Sequence, residues 1–107
     1  MPTEQEQQVL SDLRRGLQAL YGDRLVKLIL FGSRARGDAR ADSDYDVMVV
    51  LRGPMDPYKE IERASYVKSA VCIDHEAVIT CIYVSEDELD QDGSLLFRNV
   101  RGEGVEV

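Results

Sequence analysis

The stretch from Leu25 to Leu51 reads LVKLILFGSRARGDARADSDYDVMVVL and contains two apolar runs on either side of a polar segment. Both runs, residues 25–31 and 45–51, are short and rich in aliphatic residues, which predicts two buried strands. The thirteen residues between them, 32–44, suit either a connection between antiparallel neighbours or a short crossover. Periodicity does not distinguish these two arrangements.

A helix is predicted on the N-terminal side of the first strand, over residues 3–21. Thr3 and Glu6 have the spacing of a capping box, and Gly22 is a typical helix stop. The apolar residues are spaced by three and four positions and form one stripe of an amphipathic helix: Val9, Leu10, Leu13, Leu17 and Leu20.

Further elements are predicted after the second strand. Asp56 followed by Pro57 indicates a helix start, and this helix extends to about residue 71. One side of this helix, apolar except for a lysine, consists of Ile61, Ala64, Val67, Lys68 and Val71. Residues 77–84, rich in Val, Ile, Thr and Tyr, predict a third strand, followed by a short helical turn, a last short helix over residues 95–100 and a tail. This order predicts an α/β (α+β) fold in which helices flank a small mixed sheet.

Length and composition indicate a single globular domain over residues 1–107. The chain has 44 % hydrophobic and 31 % charged residues, and no apolar run approaches the roughly 20 residues that a membrane helix needs. Because the first residues are polar and acidic, no signal peptide is expected. The sequence therefore predicts a cytoplasmic protein without membrane contact.

The charge balance is acidic, with 13 Lys and Arg against 20 Asp and Glu and a formal net charge of -7. Because nucleic-acid binders normally carry a basic surface, no stable binding to nucleic acid is expected. The two cysteines, Cys72 and Cys81, have no zinc-ligand spacing and are predicted to be reduced, mostly buried thiols.

The polar segment begins with a glycine–serine turn, Gly32 and Ser33, directly after the first strand. A glycine here allows a ligand to approach the backbone, and a helix start behind it directs N–H groups outward, which suits phosphate oxygens. The guanidinium groups of Arg34, Arg36 and Arg40 are suited to hold a triphosphate beside this turn. For any single arginine, the alternative is a solvated loop position with surface ion pairs.

The segment ends with Asp44, Tyr45 and Asp46 at the start of the second strand. Residues two apart in a strand point to the same face about 6.6 Å apart, so both carboxylates are expected in one site. Two like charges so placed repel each other unless a cation lies between them, and oxygen ligands suit Mg²⁺. The valines that follow place Asp46 near the core, which argues against two solvated turn carboxylates.

Taken together, the segment resembles the motif of the DNA polymerase β-like nucleotidyltransferase superfamily, a Gly-Ser pair, ten residues and then Asp-x-Asp. The matching positions are Gly32, Ser33, Asp44 and Asp46. The run Gly-Ser-Arg-Ala-Arg-Gly is similar to that of the minimal nucleotidyltransferase group, whose members are often encoded beside a HEPN-type toxin. The motif covers 15 residues, and the order of elements extends the resemblance over most of the chain.

This resemblance implies a nucleotidyltransferase fold and transfer of a nucleoside monophosphate from a nucleoside triphosphate to an acceptor hydroxyl. It implies Asp44 and Asp46 as catalytic residues and Mg²⁺ ligands. The nucleotide-binding residues that it implies are Gly32, Ser33, Arg34, Arg36 and Ser43. For the antitoxin members, the implied substrate is ATP and the implied acceptor is a tyrosine of a HEPN-type toxin.

One position departs from the family pattern. Active members carry a third carboxylate on a later strand, but the matching strand here has no acid, and Thr80 takes the expected place. Glu76 is the first candidate to replace the third carboxylate as the catalytic base, and Asp74 is the second. For both residues, the alternative is a solvated acid in a loop. His75 is interpreted as a loop histidine, because no second His or Cys accompanies it at metal-ligand spacing.

Two functions are therefore expected as alternatives. The first is a Mg²⁺-dependent protein adenylyltransferase that neutralises a HEPN-type toxin by AMP transfer. The second is a catalytically weak or inactive antitoxin of the same fold that neutralises the toxin by binding it. A transferase for a small acceptor such as an aminoglycoside is a weaker third alternative, because such enzymes normally carry a second domain for the acceptor.

Overall fold

The computed structural model describes residues 2–91 and 93–107. These residues form, in order, α1 (Glu4–Tyr21), β1 (Leu25–Phe31), α2 (Ser33–Arg36), β2 (Tyr45–Leu51), α3 (Pro57–His75), β3 (Ile79–Ser85), α4 (Glu86–Gln91), α5 (Leu95–Glu103) and β4 (Val105–Glu106). The predicted α/β (α+β) class, with helices around a small mixed sheet, is confirmed. None of the helices in this described part is long and apolar enough to cross a bilayer.

The strands form one sheet in the order β3-β2-β1-β4. β1 and β2 are antiparallel neighbours, which decides between the two connections that the sequence left open, and β3 joins β2 in parallel after α3. β4 pairs antiparallel with β1 at the opposite edge, with Val105 opposite Leu30. The segment predicted as a tail is therefore partly an edge strand, because pairing with a distant strand leaves no trace in local periodicity.

The central strand β2 supplies both layers of the core through its alternating side chains. Tyr45, Val47 and Val49 pack on the side of α1 and α3. Met48 and Val50 pack on the other side with residues of β3, α4 and α5. Because both faces of β2 are covered by other elements along most of its length, its residues are apolar nearly throughout. The exception is Asp46, which is only half-buried and lies at the start of the strand, where the other elements no longer cover the sheet.

Helix α1 begins with the predicted capping box. The Thr3 hydroxyl accepts a hydrogen bond from the Glu6 backbone N–H at 3.2 Å, and Glu6 Oε1 accepts one from the Thr3 N–H at 2.8 Å. This exchange satisfies two donors at the start of the helix. The predicted stripe is buried at four positions, and only its last residue, Leu20, is 38 % exposed.

Helix α3 continues to His75, and the predicted side faces the core at Ala64 and Val71 but not at Ile61. Ile61, predicted on the apolar side, is 50 % exposed, whereas Glu60 is buried. Glu60 accepts a hydrogen bond from the Tyr21 hydroxyl at 2.9 Å and lies 3.6 Å from Arg63. The burial of Glu60 cannot be predicted from the apolar pattern of the helix, because a carboxylate is buried only where other elements supply hydrogen-bond partners or cations.

Both cysteines, Cys72 and Cys81, are free thiols, as predicted, and both are half-buried rather than mostly buried. Burial raises the pKa of the Cys81 thiol to about 11. A thiol with so high a pKa is a poor nucleophile at neutral pH, so Cys81 behaves as a small apolar side chain.

Candidate functional site

The end of β1 and the start of β2 meet in the middle of the sheet. Asp46 pairs with Phe31 of β1 on one side and with Thr80 of β3 on the other. Gly32 follows Phe31 with φ +75° and ψ -157°, a combination open to glycine and strained for other residues. A Cβ at this position would collide with the Asp46 carboxylate. Glycine is therefore required where the Asp46 side chain lies against the backbone.

The glycine–serine turn continues into the single turn of α2. The Gly32 carbonyl accepts hydrogen bonds from the N–H groups of Ala35 and Arg36, each at 3.1 Å. Gly37, in the left-handed conformation at φ +85°, ends the helix. The N–H and hydroxyl groups of Ser33 make no hydrogen bond to any other described residue, which leaves both donors available to a ligand.

The two aspartates interact electrostatically. Asp44 is exposed just before β2, whereas Asp46 is half-buried. Burial raises the pKa of Asp46 above its usual value, the negative charge of Asp44 raises it further, and Arg36 lowers it in part. A cation between the two carboxylates would relieve the repulsion and compensate for the loss of solvent.

Asp44 and Asp46 suit a metal site in which the protein supplies only part of the ligands. Among residues 2–91 and 93–107, no group of three or more His, Cys, Asp or Glu side chains is placed to hold a metal ion. Proteins commonly bind Mg²⁺ through one or two carboxylates, with substrate phosphate oxygens and water completing the octahedron. Asp44 and Asp46 therefore fit Mg²⁺ that arrives with a nucleotide, rather than a metal held by the protein alone.

The position beside Asp46 on β3 belongs to Thr80. Its exposed side chain lies on the same face of the sheet as Asp46, because paired residues of neighbouring strands share a face. Threonine is a neutral hydroxyl and neither binds a cation as a carboxylate does nor accepts a proton at neutral pH. The structure thus agrees with the departure from the family pattern that the sequence indicates.

Glu76, the first candidate for the missing carboxylate, lies at the C-terminal cap of α3 with φ +51°. It lines a cavity of about 570 Å³ together with Arg34 and Tyr45, and neither Asp44 nor Asp46 lines that cavity. Tyr45 faces the side of α1 and α3, so this cavity opens on the side of β2 opposite the Asp46 side chain. This placement argues against Glu76 as the base, and the role predicted for it from the sequence is left to the experiment described below.

The other residues that the sequence singled out near β3 lie within α3. Asp74 is exposed in its last turn. His75 is the last residue of the helix rather than a loop residue, and its Nε2 lies 2.7 Å from Oδ2 of Asp12 in α1. This contact joins the two helices and gives the only histidine a structural role.

The two arginines of α2 make different contacts. Arg36 is half-exposed, lies 3.3 Å from both Asp38 and Glu103, and is close enough to Asp46 to lower the pKa of that residue. Arg34 is nearly buried, with a side chain 10 % exposed. Of the two, Arg36 is therefore the one whose charge acts on Asp46.

Arg34 and Ser43, both predicted nucleotide ligands, contact each other. The Ser43 carbonyl accepts hydrogen bonds from Nη2 and Nε of Arg34 at 2.6 and 3.1 Å. The Ser43 hydroxyl accepts one from the Arg40 backbone N–H at 2.8 Å, which closes a turn in the loop of residues 37–43. The structure thus brings Gly32 and Ser33 to the carboxylates, and it brings Arg34 and Ser43 to the preceding loop.

Arg34 also forms an ion pair with Glu6 at 2.8 Å, and this pair has a consequence for stability. Burial raises the pKa of Glu6, but hydrogen bonds from the Thr3 backbone and from Arg34 outweigh burial, so the net pKa is below its ordinary value of 4.5. A carboxylate with a lowered pKa stabilises the fold above its unfolded pKa, and this stabilisation is lost as the pH falls through the folded value.

Replacing Glu6 with glutamine, which can keep the capping box, is therefore expected to lower the Tm at pH 7 and to flatten the loss of Tm from about pH 5 to about pH 3. Thermal unfolding followed by circular dichroism at several pH values measures both. Glu4→Gln is the matched control, since Glu4 is an exposed acid in the same helical turn. The same acid dependence in Glu6→Gln and in the wild type would contradict the role of this ion pair.

Comparison with known proteins supports what the motif implies. A family model described as a nucleotidyltransferase domain matches residues 10–98. A Methanocaldococcus jannaschii protein named protein adenylyltransferase is 32 % identical over 100 residues, which cover 92 % of this chain and 94 % of that protein. The range that the family model matches includes the glycine–serine turn, the two aspartates and Thr80.

Solved structures share the fold. A crystal structure of a toxin–antitoxin with AMP-PNP aligns at a TM-score of 0.62 and 20 % identity, covering 97 % of this chain and 72 % of that one. A Sulfolobus solfataricus structure described as a nucleotidyltransferase aligns at a TM-score of 0.60 and 19 % identity, covering 99 % and 87 % of the two chains. Since the family model spans most of the chain and includes its site residues, this chain belongs to the nucleotidyltransferase domain family, as its motif predicts.

Proposed function

We propose that this nucleotidyltransferase moves AMP from ATP, with Mg²⁺, to a hydroxyl group of a partner protein. The observation that carries the proposal is the meeting of Asp44, Asp46 and Gly32, where two interacting carboxylates lie beside an open backbone turn. A relative 32 % identical is named protein adenylyltransferase, and a structural neighbour is a toxin–antitoxin with AMP-PNP. These similarities support a toxin as the partner. The resemblance of the motif adds that this toxin is of the HEPN type and that its tyrosine is the acceptor.

Each part of the site has a distinct task in this reaction. The acceptor oxygen bonds to the α-phosphorus of ATP, the bond from that phosphorus to the α,β-bridging oxygen breaks, pyrophosphate leaves, and the hydroxyl proton passes to water or to a base. Asp44 and Asp46 would hold Mg²⁺, which neutralises the charge of the phosphates when bound. The phosphate oxygens are bound by the backbone and hydroxyl of Ser33, next to Gly32, and by the guanidinium group of Arg36.

The surroundings of the carboxylates favour a protein as the acceptor. Asp44 and Thr80 are both exposed. An exposed site of this kind is suited to a protein surface that brings its own hydroxyl. We propose that residues 1–107 form a single nucleotidyltransferase domain that acts in the cytoplasm.

Incubation with ATP radiolabelled at the α-phosphate, Mg²⁺ and the product of the neighbouring reading frame tests this proposal. Label is expected on the partner protein, and ATP labelled at the γ-phosphate should leave the partner unlabelled because pyrophosphate departs. Removal of Mg²⁺ with EDTA should abolish the transfer. A partner that binds this chain but takes up no α-label would contradict the proposed reaction.

Glu76→Gln is expected to leave the rate of labelling within about twofold of the wild type, because Glu76 lines the cavity on the opposite side of β2 from Asp46. A positioned base typically contributes about 10²–10⁴-fold. Initial rates at saturating ATP make the comparison, with Asp74→Asn as the control for loss of a nearby acid. A fall of about a hundredfold or more in Glu76→Gln alone would show that Glu76 supplies the base.

One observation favours a second candidate function. Because Thr80 rather than an acid lies beside Asp46, the site has two carboxylates among the described residues instead of three, and transfer could be too slow to matter. The chain would then neutralise its partner by binding alone. Neutralisation of toxicity by a double variant, Asp44→Asn with Asp46→Asn, at the level of the wild type would favour this function over the first.

A further inference from the structure

We infer that Arg34 is a positioning residue, which holds Asp44 and Asp46 in place, and not a ligand of the nucleotide. This inference rests on the proposed function, because it concerns how the two carboxylates of that site are held. Arg34 and Arg36 are two residues apart in one helical turn. Their sequence context alone makes both of them candidates for the triphosphate.

All three nitrogens of the Arg34 guanidinium group bind within the protein. Nη1 donates to Oε2 of Glu6 at 2.8 Å. Nη2 donates to the carbonyls of Ser43 and Ala41 at 2.6 and 3.3 Å, and Nε donates to the Ser43 carbonyl at 3.1 Å. The Cζ atom lies 4.0 Å from the centroid of the Tyr45 ring. We call this set of contacts the Arg34 clamp.

The Arg34 clamp acts on the backbone that carries the carboxylates. The Ser43 carbonyl belongs to the same peptide group as the N–H of Asp44, so two hydrogen bonds fix the peptide that leads into Asp44. Tyr45 lies between the two aspartates, and its ring packs against Arg34 on the side of α1 and α3. Because side chains alternate along a strand, holding Tyr45 on that side directs Asp44 and Asp46 to the other.

The charge that holds Arg34 in this position comes from Glu6. The two side chains are only 10 % and 9 % exposed. If Arg34 moved out to a phosphate, it would leave the carboxylate of Glu6 buried without its cation, and breaking a buried pair in this way is strongly unfavourable. Arg36 has no such restraint, since its side chain is 47 % exposed and its two partners are surface carboxylates.

Arg34→Lys separates the two roles, because lysine keeps the charge that a phosphate would need but lacks the planar fork that bonds several acceptors at once. In hydrogen-exchange measurements, the amides of residues 40–46 should exchange at least about tenfold faster in Arg34→Lys. In transfer assays, kcat should fall about 10- to 100-fold with the KM for ATP within about threefold, because the carboxylates are misplaced. The Mg²⁺ concentration for half-maximal rate should rise.

Arg36→Ala is the matched control. It should leave the exchange of residues 40–46 unchanged and raise the KM for ATP, since it removes a proposed phosphate ligand without touching the Arg34 clamp. Glu6→Gln should change exchange and kcat in the same direction as Arg34→Lys, although Glu6 does not line the proposed nucleotide site. If Arg34→Lys does not fold, Glu6→Gln still tests whether Arg34 is a positioning residue.

The inference is overturned if the lysine variant, or Glu6→Gln where that variant does not fold, keeps wild-type exchange rates. It is equally overturned if Arg34→Lys raises the KM for ATP as Arg36→Ala does and leaves kcat unchanged. Hydrogen exchange requires no turnover. A protein that showed no AMP transfer would therefore refute the proposed function while the exchange rates still decided the role of Arg34.

Discussion

Asp46→Asn is expected to lower the rate of AMP transfer by at least about 10³-fold, because it removes a negative charge from the pair that would hold Mg²⁺ and leaves Asp44 alone. An amide of the same shape keeps the packing against Gly32 and Thr80. The measurement is the initial rate of labelling of the partner protein at saturating ATP and Mg²⁺. Labelling by Asp46→Asn at a rate near that of the wild type would contradict the assignment.

The same variant is expected to be at least as stable as the wild type. Burial and the charge of Asp44 raise the pKa of Asp46 above its ordinary value of 3.8. A carboxyl group whose folded pKa is raised destabilises the fold as the pH rises from its unfolded to its folded pKa. Replacing the carboxylate with a neutral amide removes that unfavourable charge.

Calorimetry without metal at pH 7 should therefore give a Tm for Asp46→Asn equal to or above that of the wild type. A clearly lower Tm would attribute the loss of activity to misfolding instead. Asp42→Asn is the matched control, because Asp42 is an exposed carboxylate in the loop that leads into β2 and its replacement has the same change of charge. This control should keep its transfer activity.

Gly32→Ala is expected to have the second large effect. The backbone at Gly32, with φ +75° and ψ -157°, is strained for alanine by about 1–3 kcal/mol, and the new Cβ would collide with the Asp46 carboxylate. Moving that carboxylate by about 1 Å should lower transfer by about 10²-fold or more. Denaturant unfolding and initial labelling rates measure the two effects separately.

Gly37→Ala distinguishes strain from displacement. Gly37 also has a positive φ, +85°, but nothing lies within 4 Å of an added Cβ. This variant should lose about 1–2 kcal/mol of stability and keep its transfer activity. Equal losses of activity in the two alanine variants would show that flexibility of the turn, rather than the position of Asp46, is what the reaction needs.

The elements that carry the site could be predicted because their signals are local. The strands predicted over residues 25–31 and 45–51 have those bounds in the structure, since each is a short apolar run bordered by turn residues. The capping box of Thr3 and Glu6 depends on a spacing of three residues and is present as predicted. The prediction that the two aspartates share one face also rests on a local signal, the period of a strand.

The partners of Arg34 and Glu60 could not be predicted. Arg34 and Glu6 are separated by 28 residues along the chain, and no local pattern connects them. Likewise, Glu60 is buried against Tyr21, which is 39 residues away. From the sequence, a polar side chain is predicted to face solvent or a ligand on the basis of the residues next to it in the chain. Its actual partners are the residues next to it in space.

The sequence by itself determined the order of the main elements, with the glycine–serine turn at the end of one strand and the two carboxylates at the start of the next, because side-chain spacing and backbone preference act over a few residues. Only the tertiary structure decided that β1 and β2 are antiparallel, that Thr80 of β3 lies beside Asp46, and that Arg34 binds Glu6 and the Ser43 carbonyl. These are contacts between distant segments. They follow from how the sheet and α1 pack together, which local periodicity does not contain.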